Sequence, residues 1–235
     1  MTSETQAVES GIGSPVRYRV RRVERPIVVD ADDAKSVWRQ TESAAIACVQ
    51  PETGAHRPVS QVKMRYDDSF VYVLFRVEDR FVRAVTLQPH GPVWEDSCVE
   101  FFFTPRSAPS SGYFNLEVNC IGTLLMRYQQ APHEAIRFVE KDDLKHIAIA
   151  TSFARQSIPD EMTGPVVWTV EYALPMTMLG RYANVEKPMA GAVWHGNFNK
   201  CADRCSQPHW LSWAPIPTSR PDFHRPDCFG RLEFE

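Results

Sequence analysis

The sequence predicts an all-β fold, an antiparallel β-sandwich of jelly-roll type with one or two short helices. Three observations predict it. Short apolar runs with two-residue alternation recur along the chain, turn-forming residues punctuate them, and segments of helical period are scarce. Many short strands with regular turns between them are the signature of a sandwich.

The elements follow in order. Residues 1–14 are polar with glycine and serine and read as a disordered lead-in. Arg17, Arg19, Arg21, Arg22 and Arg25 are interleaved with apolar residues and Glu24, the pattern of a solvated strand face. Asp32 to Trp38 reads as a short helix with an aspartate near its start. Gln61–Tyr66 places Val62, Met64 and Tyr66 on one side, and Phe70–Val77 does the same with Val71, Val73, Phe75 and Val77. Asp67-Asp68-Ser69 joins them as a hairpin turn. Cys98–Phe103 and Tyr113–Asn119 are two further strands across a Pro/Ser-rich loop at 105–112. Strands at 123–128, 146–153, 166–174, 193–199, 210–213 and 230–234 complete the set, with a helical turn at Pro175–Leu179. No internal repeat or long linker divides the chain, so 15–235 is expected to be a single domain.

Composition narrows the function classes. The net charge of -3 argues against a partner held through phosphates, which calls for a basic patch. No run approaches the ~20 apolar residues of a membrane helix. Met1–Ser14 lacks the apolar core of a secretory signal, which sets the expectation of a cytoplasmic protein unless a leader has been removed. The six cysteines are spread widely, and reduced, buried thiols are expected. Cys201, Cys205 and His209, with His195 nearby, are metal-capable residues, but their spacing is not that of a zinc ribbon or finger.

Residues 93–103 are the richest stretch. Trp94, Glu95 and Asp96 lead into an apolar strand that Glu100 interrupts. With Val99, Phe101 and Phe103 on the core side, Cys98, Glu100 and Phe102 face the other way. Alternation adds Asn115, Glu117 and Asn119 to one polar face, and His195, Asn197 and Asn199 from a third strand. Lys63, Arg65 and Arg76 likewise oppose the core side of the early hairpin. Planar hydrogen-bonding groups beside aromatic rings suit a neutral polyhydroxylated ligand, because rings stack on sugar faces while amides and carboxylates pair with hydroxyls.

The motif Trp94-Glu95-Asp96-Ser97-x-Val99-Glu100-x-Phe102 resembles the W-x-x-D-S-V-E motif of family 9 carbohydrate-binding modules. Pro26–Asp30 with Trp38 resembles that family's opening strand. Val62–Asp68 through Tyr72-Val73 resembles its first hairpin. Leu211-Ser212-Trp213 and Arg225–Gly230 resemble its closing segment. The likeness spans about residues 20–235. Pro208–Pro215 and Asp222–Pro226 look most like the bacterial family 9-like branch.

The resemblance implies a DOMON-like β-sandwich that binds a mono- or oligosaccharide, or the chain end of a polysaccharide, without cleaving it. It makes Trp94 one stacking ring and Glu100 a hydroxyl acceptor, and places Asn197 where a side-chain amide contacts sugar. Phe223 and His224 stand where a second ring is expected, and Glu117 where a basic sugar contact is expected. Arg76 is a further candidate contact. It also suggests structural calcium, for which Asp30, Asp32 and Asp33 are the oxygen donors. Three other readings stay open: a glycoside hydrolase or accessory domain for plant-type polysaccharide (xylan or cellulose), using Glu100 and Glu117; a haem-binding DOMON-type redox domain, although Met64 and Met126 read as core; and an interaction module that docks through the same face.

Overall fold

The computed structural model describes residues 15–108 and 112–235, so the lead-in at 1–14 lies outside the described residues. Among the described residues, fourteen strands form a curled, mostly antiparallel β-sandwich. They are β1 (Arg17–Arg22), β2 (Ala44–Ala45), β3 (Cys48–Val49), β4 (Val59–Tyr66), β5 (Phe70–Ala84), β6 (Cys98–Thr104) and β7 (Tyr113–Asn119). Then follow β8 (Leu124–Gln129), β9 (Arg137–Phe138), β10 (Ala148–Thr151), β11 (Ile158–Pro175), β12 (Val193–Cys201), β13 (Trp210–Ser212) and β14 (Gly230–Phe234). Three single-turn helices, α1 (Ser36–Arg39), α2 (Lys141–Leu144) and α3 (Met176–Leu179), sit in the connections.

One layer runs β10-β11-β5-β4 and the other β14-β12-β6-β7-β8-β9. β1 joins them. Its first four residues pair in parallel with β14 and its last two with β4. Tyr18 and Val20 point into the core, while Arg17, Arg19, Arg21 and Arg22 lie outside against Glu233, Glu42, Glu235 and Asp68. The basic run is thus a paired, solvated strand face. The opening strand is β1, not Pro26–Asp30. That segment belongs to no strand, and Glu171 holds its end by accepting from the N–H groups of Asp30 (2.9 Å) and Ala31 (2.7 Å).

Alternation fills the space between the layers. Val62, Met64, Val73 and Phe75 meet Val99, Phe101, Phe103, Phe114, Leu116 and Phe198 in one contiguous core. Phe101 stacks on both Phe103 and Phe198, at 4.4 and 4.9 Å between centroids. Gly196 is required here, because a Cβ would come within 2.8 Å of the Phe102 carbonyl oxygen and 2.9 Å of the Phe101 ring. β5 continues past Val77 through Asp79. Its polar residues are accommodated because the buried Asp79 carboxylate pairs with His56 at 2.7 Å and accepts from Trp168 Nε1 at 3.4 Å. Met64 and Met126 are fully buried core residues.

Candidate functional site

The outer face of the β12-β6-β7-β8 layer was expected to be polar. It is polar but covered, with Glu100 3% and Glu117 2% exposed. Register arranges the face in transverse rows. One row runs Ser212, Asn199, Glu100, Glu117 and Leu125. The next, two residues along, runs Asn197, Phe102, Asn115, Arg127 and Phe138. The row on the other side runs Trp210, Cys201, Cys98 and Asn119.

Asp96 explains the turn that precedes β6. Its buried carboxylate accepts from the N–H groups of Val85 and Thr86 and from Asn119 Nδ2, at 2.9 to 3.0 Å. That clamp fixes the 3-10 turn Val93–Glu95 at the edge of the polar face. The Trp94 carbonyl in turn accepts from Asp203 N–H at 3.2 Å, bringing the loop after β12 beside the indole.

Together these elements enclose an open cleft of about 510 Å3. Trp94 and Trp210 line it, with Glu100, Arg127, Asp203, His133, Phe223 and His224. Both tryptophans pack against a single apolar cluster built on Val93, Phe102, Tyr113 and Phe223. Trp210 Nε1 donates to Asp203 Oδ1 at 2.7 Å. The Arg127 guanidinium lies 6.0 Å from the Trp94 ring centroid and donates to Glu117 Oε1 at 3.3 Å.

The electrostatics follow from burial. Glu100 accepts from Asn199 Nδ2 at 3.3 Å and from the Cys201 thiol at 3.1 Å. Burial, reinforced by the Glu117 charge, pushes its carboxyl well above the usual carboxylate range. Glu117 is also raised by burial, opposed by Arg127. Both carboxyls are thus shifted toward their protonated forms, Glu117 against the pull of Arg127, and a protonated carboxyl can both donate to and accept from a hydroxyl. Burial raises Asp203 to about 6 against the hydrogen bond from Trp210. His224 is lowered to about 3 by burial and stays neutral, its Nδ1 2.7 Å from the Tyr113 hydroxyl. Arg127 Nε, Glu117 Oε2 and Asn199 Oδ1 are buried without a partner among the described residues.

The anticipated residues separate into two groups. Trp94, Glu100, Phe223 and His224 converge on the cleft, and Glu117 lies beneath it behind Arg127. Asn197 spends both amide atoms on the Ala214 backbone, at 3.1 and 2.8 Å. Arg76 is on β5 in the other layer, paired with Asp33 (3.0 Å) and Glu78 (2.5 Å). Cys201, Cys205 and His209 do not converge. Cys205 meets Ser97, and His209 accepts from Lys200 Nζ at 2.8 Å. Trp210, Arg127 and Asp203 reach the cleft without having been singled out in the sequence.

Asp30, Asp32 and Asp33 do not fit a shared calcium cage. Lys35 Nζ occupies the cation position, 2.6 Å from Asp30 and 2.8 Å from Glu171. Asp32 accepts from the Ala34 N–H, and Asp33 is turned to Arg76. A larger groove, about 710 Å3, lies near Leu124, Leu144 and Ile149, but no carboxylate or amide side chain lines it. Among the described residues, no helix is long and apolar enough to cross a membrane.

The family profile described as carbohydrate-binding family 9 matches residues 31–234. No curated protein matches the sequence. Among solved structures, a protein assigned as carbohydrate-binding from Bacteroides uniformis ATCC 8492 is 29% identical. The alignment covers 94% of this chain and 100% of that one, with a TM-score of 0.84. A family 9 carbohydrate-binding module from Caldicellulosiruptor kristjanssonii in complex with glucose is 15% identical over 94% of this chain and 96% of its own, with a TM-score of 0.62. The cellotriose complex of a family 9 module from that organism gives 16% identity, 94% coverage of each chain and the same TM-score. The profile match spans most of the chain and the sandwich architecture is shared, so this chain belongs to carbohydrate-binding family 9.

Proposed function

We propose that the protein binds a neutral mono- or oligosaccharide without cleaving it, in the cleft between Trp94 and Trp210. One observation carries this reading. Two partly exposed indoles border a cleft whose floor holds a buried carboxyl shifted toward its protonated form (Glu100) and the Arg127 guanidinium. The volume suits a small ligand. The rings offer apolar faces to a sugar ring, while Glu100, Arg127 and Asp203 offer donors and acceptors to its hydroxyls. Glu117 does not line the cleft, so the cross-strand pair Glu100/Glu117 presents one carboxyl to a ligand rather than two flanking a glycosidic bond.

Glucose and cellotriose, the ligands of the two Caldicellulosiruptor modules, are the first compounds to test, with xylo-oligosaccharides beside them. Calorimetric titration is expected to give one site that Trp94→Ala weakens by at least tenfold. Reducing-sugar release from the same panel is expected to stay at background. Absence of binding across the panel, or binding indifferent to Trp94→Ala, would overturn the proposal.

A further inference from the structure

Cys98, Glu100 and Cys201 bring two sulfurs and a carboxylate oxygen within 4.8 Å of one another. All three side chains are buried. They meet only through the β6–β12 register, which sets Cys201 opposite Cys98 and Asn199 opposite Glu100. Glu100 and Cys201 also line the cleft, so the cluster has a route to solvent.

A disulfide fits this register poorly. Ala202 N–H bonds the His209 carbonyl and Trp213 N–H bonds the Phe198 carbonyl. Residues 198, 200 and 202 therefore turn their backbone groups toward β13, and 199 and 201 turn theirs toward β6. Cys98 and Cys201 form a hydrogen-bonded pair, with Cα atoms about 5.5 Å apart and Cβ atoms at the wide end of cross-strand spacing. A disulfide wants Cβ atoms about 3.8 Å apart. A tetrahedral cation tolerates the wider pair, because two metal–sulfur bonds of about 2.3 Å separate the sulfurs by a little under 4 Å.

We propose that Cys98, Cys201 and Glu100 form a site for one thiophilic divalent cation of the zinc class, with its fourth position open to the cleft. Two thiolates and a carboxylate match the soft and borderline donors such ions select. Asn199, whose Nδ2 donates to the other oxygen of Glu100, orients that carboxylate toward the two sulfurs. Loading displaces the thiol protons, and any proton on Glu100, to solvent through the cleft. It also removes Glu100 as a free sugar contact, so cation and sugar compete; this last consequence alone rests on the sugar-binding reading.

The test is anaerobic titration of the reduced 235-residue chain with Co2+, followed by its thiolate-to-metal charge-transfer absorbance. The band is expected to saturate at one equivalent, to bleach on adding Zn2+, and to vanish in Cys98→Ser and Cys201→Ser. It is expected to persist in the Cys48→Ser/Cys228→Ser double variant, which removes the two half-buried thiols elsewhere. No band in the wild-type protein, or a band that survives Cys201→Ser, would sink the proposal. The wild-type titration needs no variant to fold and no sugar to bind, so its outcome is separate from that of the calorimetry.

Discussion

Glu100 and Glu117 stand directly opposite each other on β6 and β7, two buried carboxyls side by side on one face. Like charges so placed cannot both ionise at low cost. Arg127, in the adjacent row, pairs with Glu117 and opposes its rise, while burial and the Glu117 charge hold Glu100 well above the usual carboxylate range. The charge balance of the cleft floor thus depends on an arginine from a third strand.

Arg127→Met is therefore expected to act twice. It leaves Glu117 buried without its countercharge, at a cost of about 3 kcal/mol, the lower end of the range for breaking a buried pair. It also removes a cleft donor, so sugar affinity falls even where the variant is fully folded. Urea unfolding and calorimetry of one preparation check both. Unchanged stability would mean that Glu117 is neutral in the native state.

How much of this was legible in the sequence depends on which level of structure places each residue. Alternation alone put Glu100, Glu117 and the asparagines on one face, because a strand's period is local. The same rule, carried two residues further along β12 or applied to β8 and β13, also finds Cys201, Arg127 and Trp210. Alternation gives a face but not a layer. Arg76 obeys it on β5, in the other half of the sandwich. Nor does it say whether a polar atom is spent, as Asn197 is on Ala214. Asp203 sits in a loop where no period exists, and only tertiary hydrogen bonds bring it to Trp94. The meeting of Cys98 with Cys201 depends on the pairing of strands distant in sequence, which one chain's pattern does not encode.

Lys35 gives a second prediction. Its ammonium neutralises Glu171, whose carboxylate also accepts from Trp38 Nε1 at 2.7 Å. Lys35→Met is expected to cost about 3 kcal/mol, softened because three N–H donors remain on Glu171. Added calcium, or a chelator selective for calcium, is expected to leave the melting temperature of the wild-type protein unchanged. A calcium-dependent rise in melting temperature would show that the aspartate turn rearranges to admit a metal.

Acid should destabilise the protein through buried histidines. His209, desolvated and beside Lys200, is lowered to about 3, and His224 likewise. An unfolded histidine binds its proton near pH 6.5. Between those values the unfolded state takes up protons that the folded state refuses, so stability present above pH 6.5 is lost as pH falls. The limiting slope is about 1.4 kcal/mol per pH unit per histidine. Urea midpoints at pH 7 and pH 5 measure the net of this loss and an opposite gain from Glu100 and Asp203. Their raised carboxyls hold protons in the folded state that the unfolded state has shed. His209→Gln, which keeps an acceptor for Lys200, is expected to reduce the loss. An equal loss in that variant would place the acid sensitivity elsewhere.

The two indoles offer the sharpest test of the cleft itself. Trp210 lies opposite Cys201 on β13, and Trp94 lies in the turn before β6, so different segments deliver the two rings. If both contact one sugar, each alanine variant should lose about 2 kcal/mol of binding, close to thirtyfold in Kd. The Trp94→Ala/Trp210→Ala double variant should show no measurable heat. Trp210→Phe retains a ring but loses the bond to Asp203, so it should fall between wild type and alanine. If Trp210→Ala left affinity untouched while Trp94→Ala abolished it, the sugar would be held on one ring, and Trp210 would serve only to support Asp203.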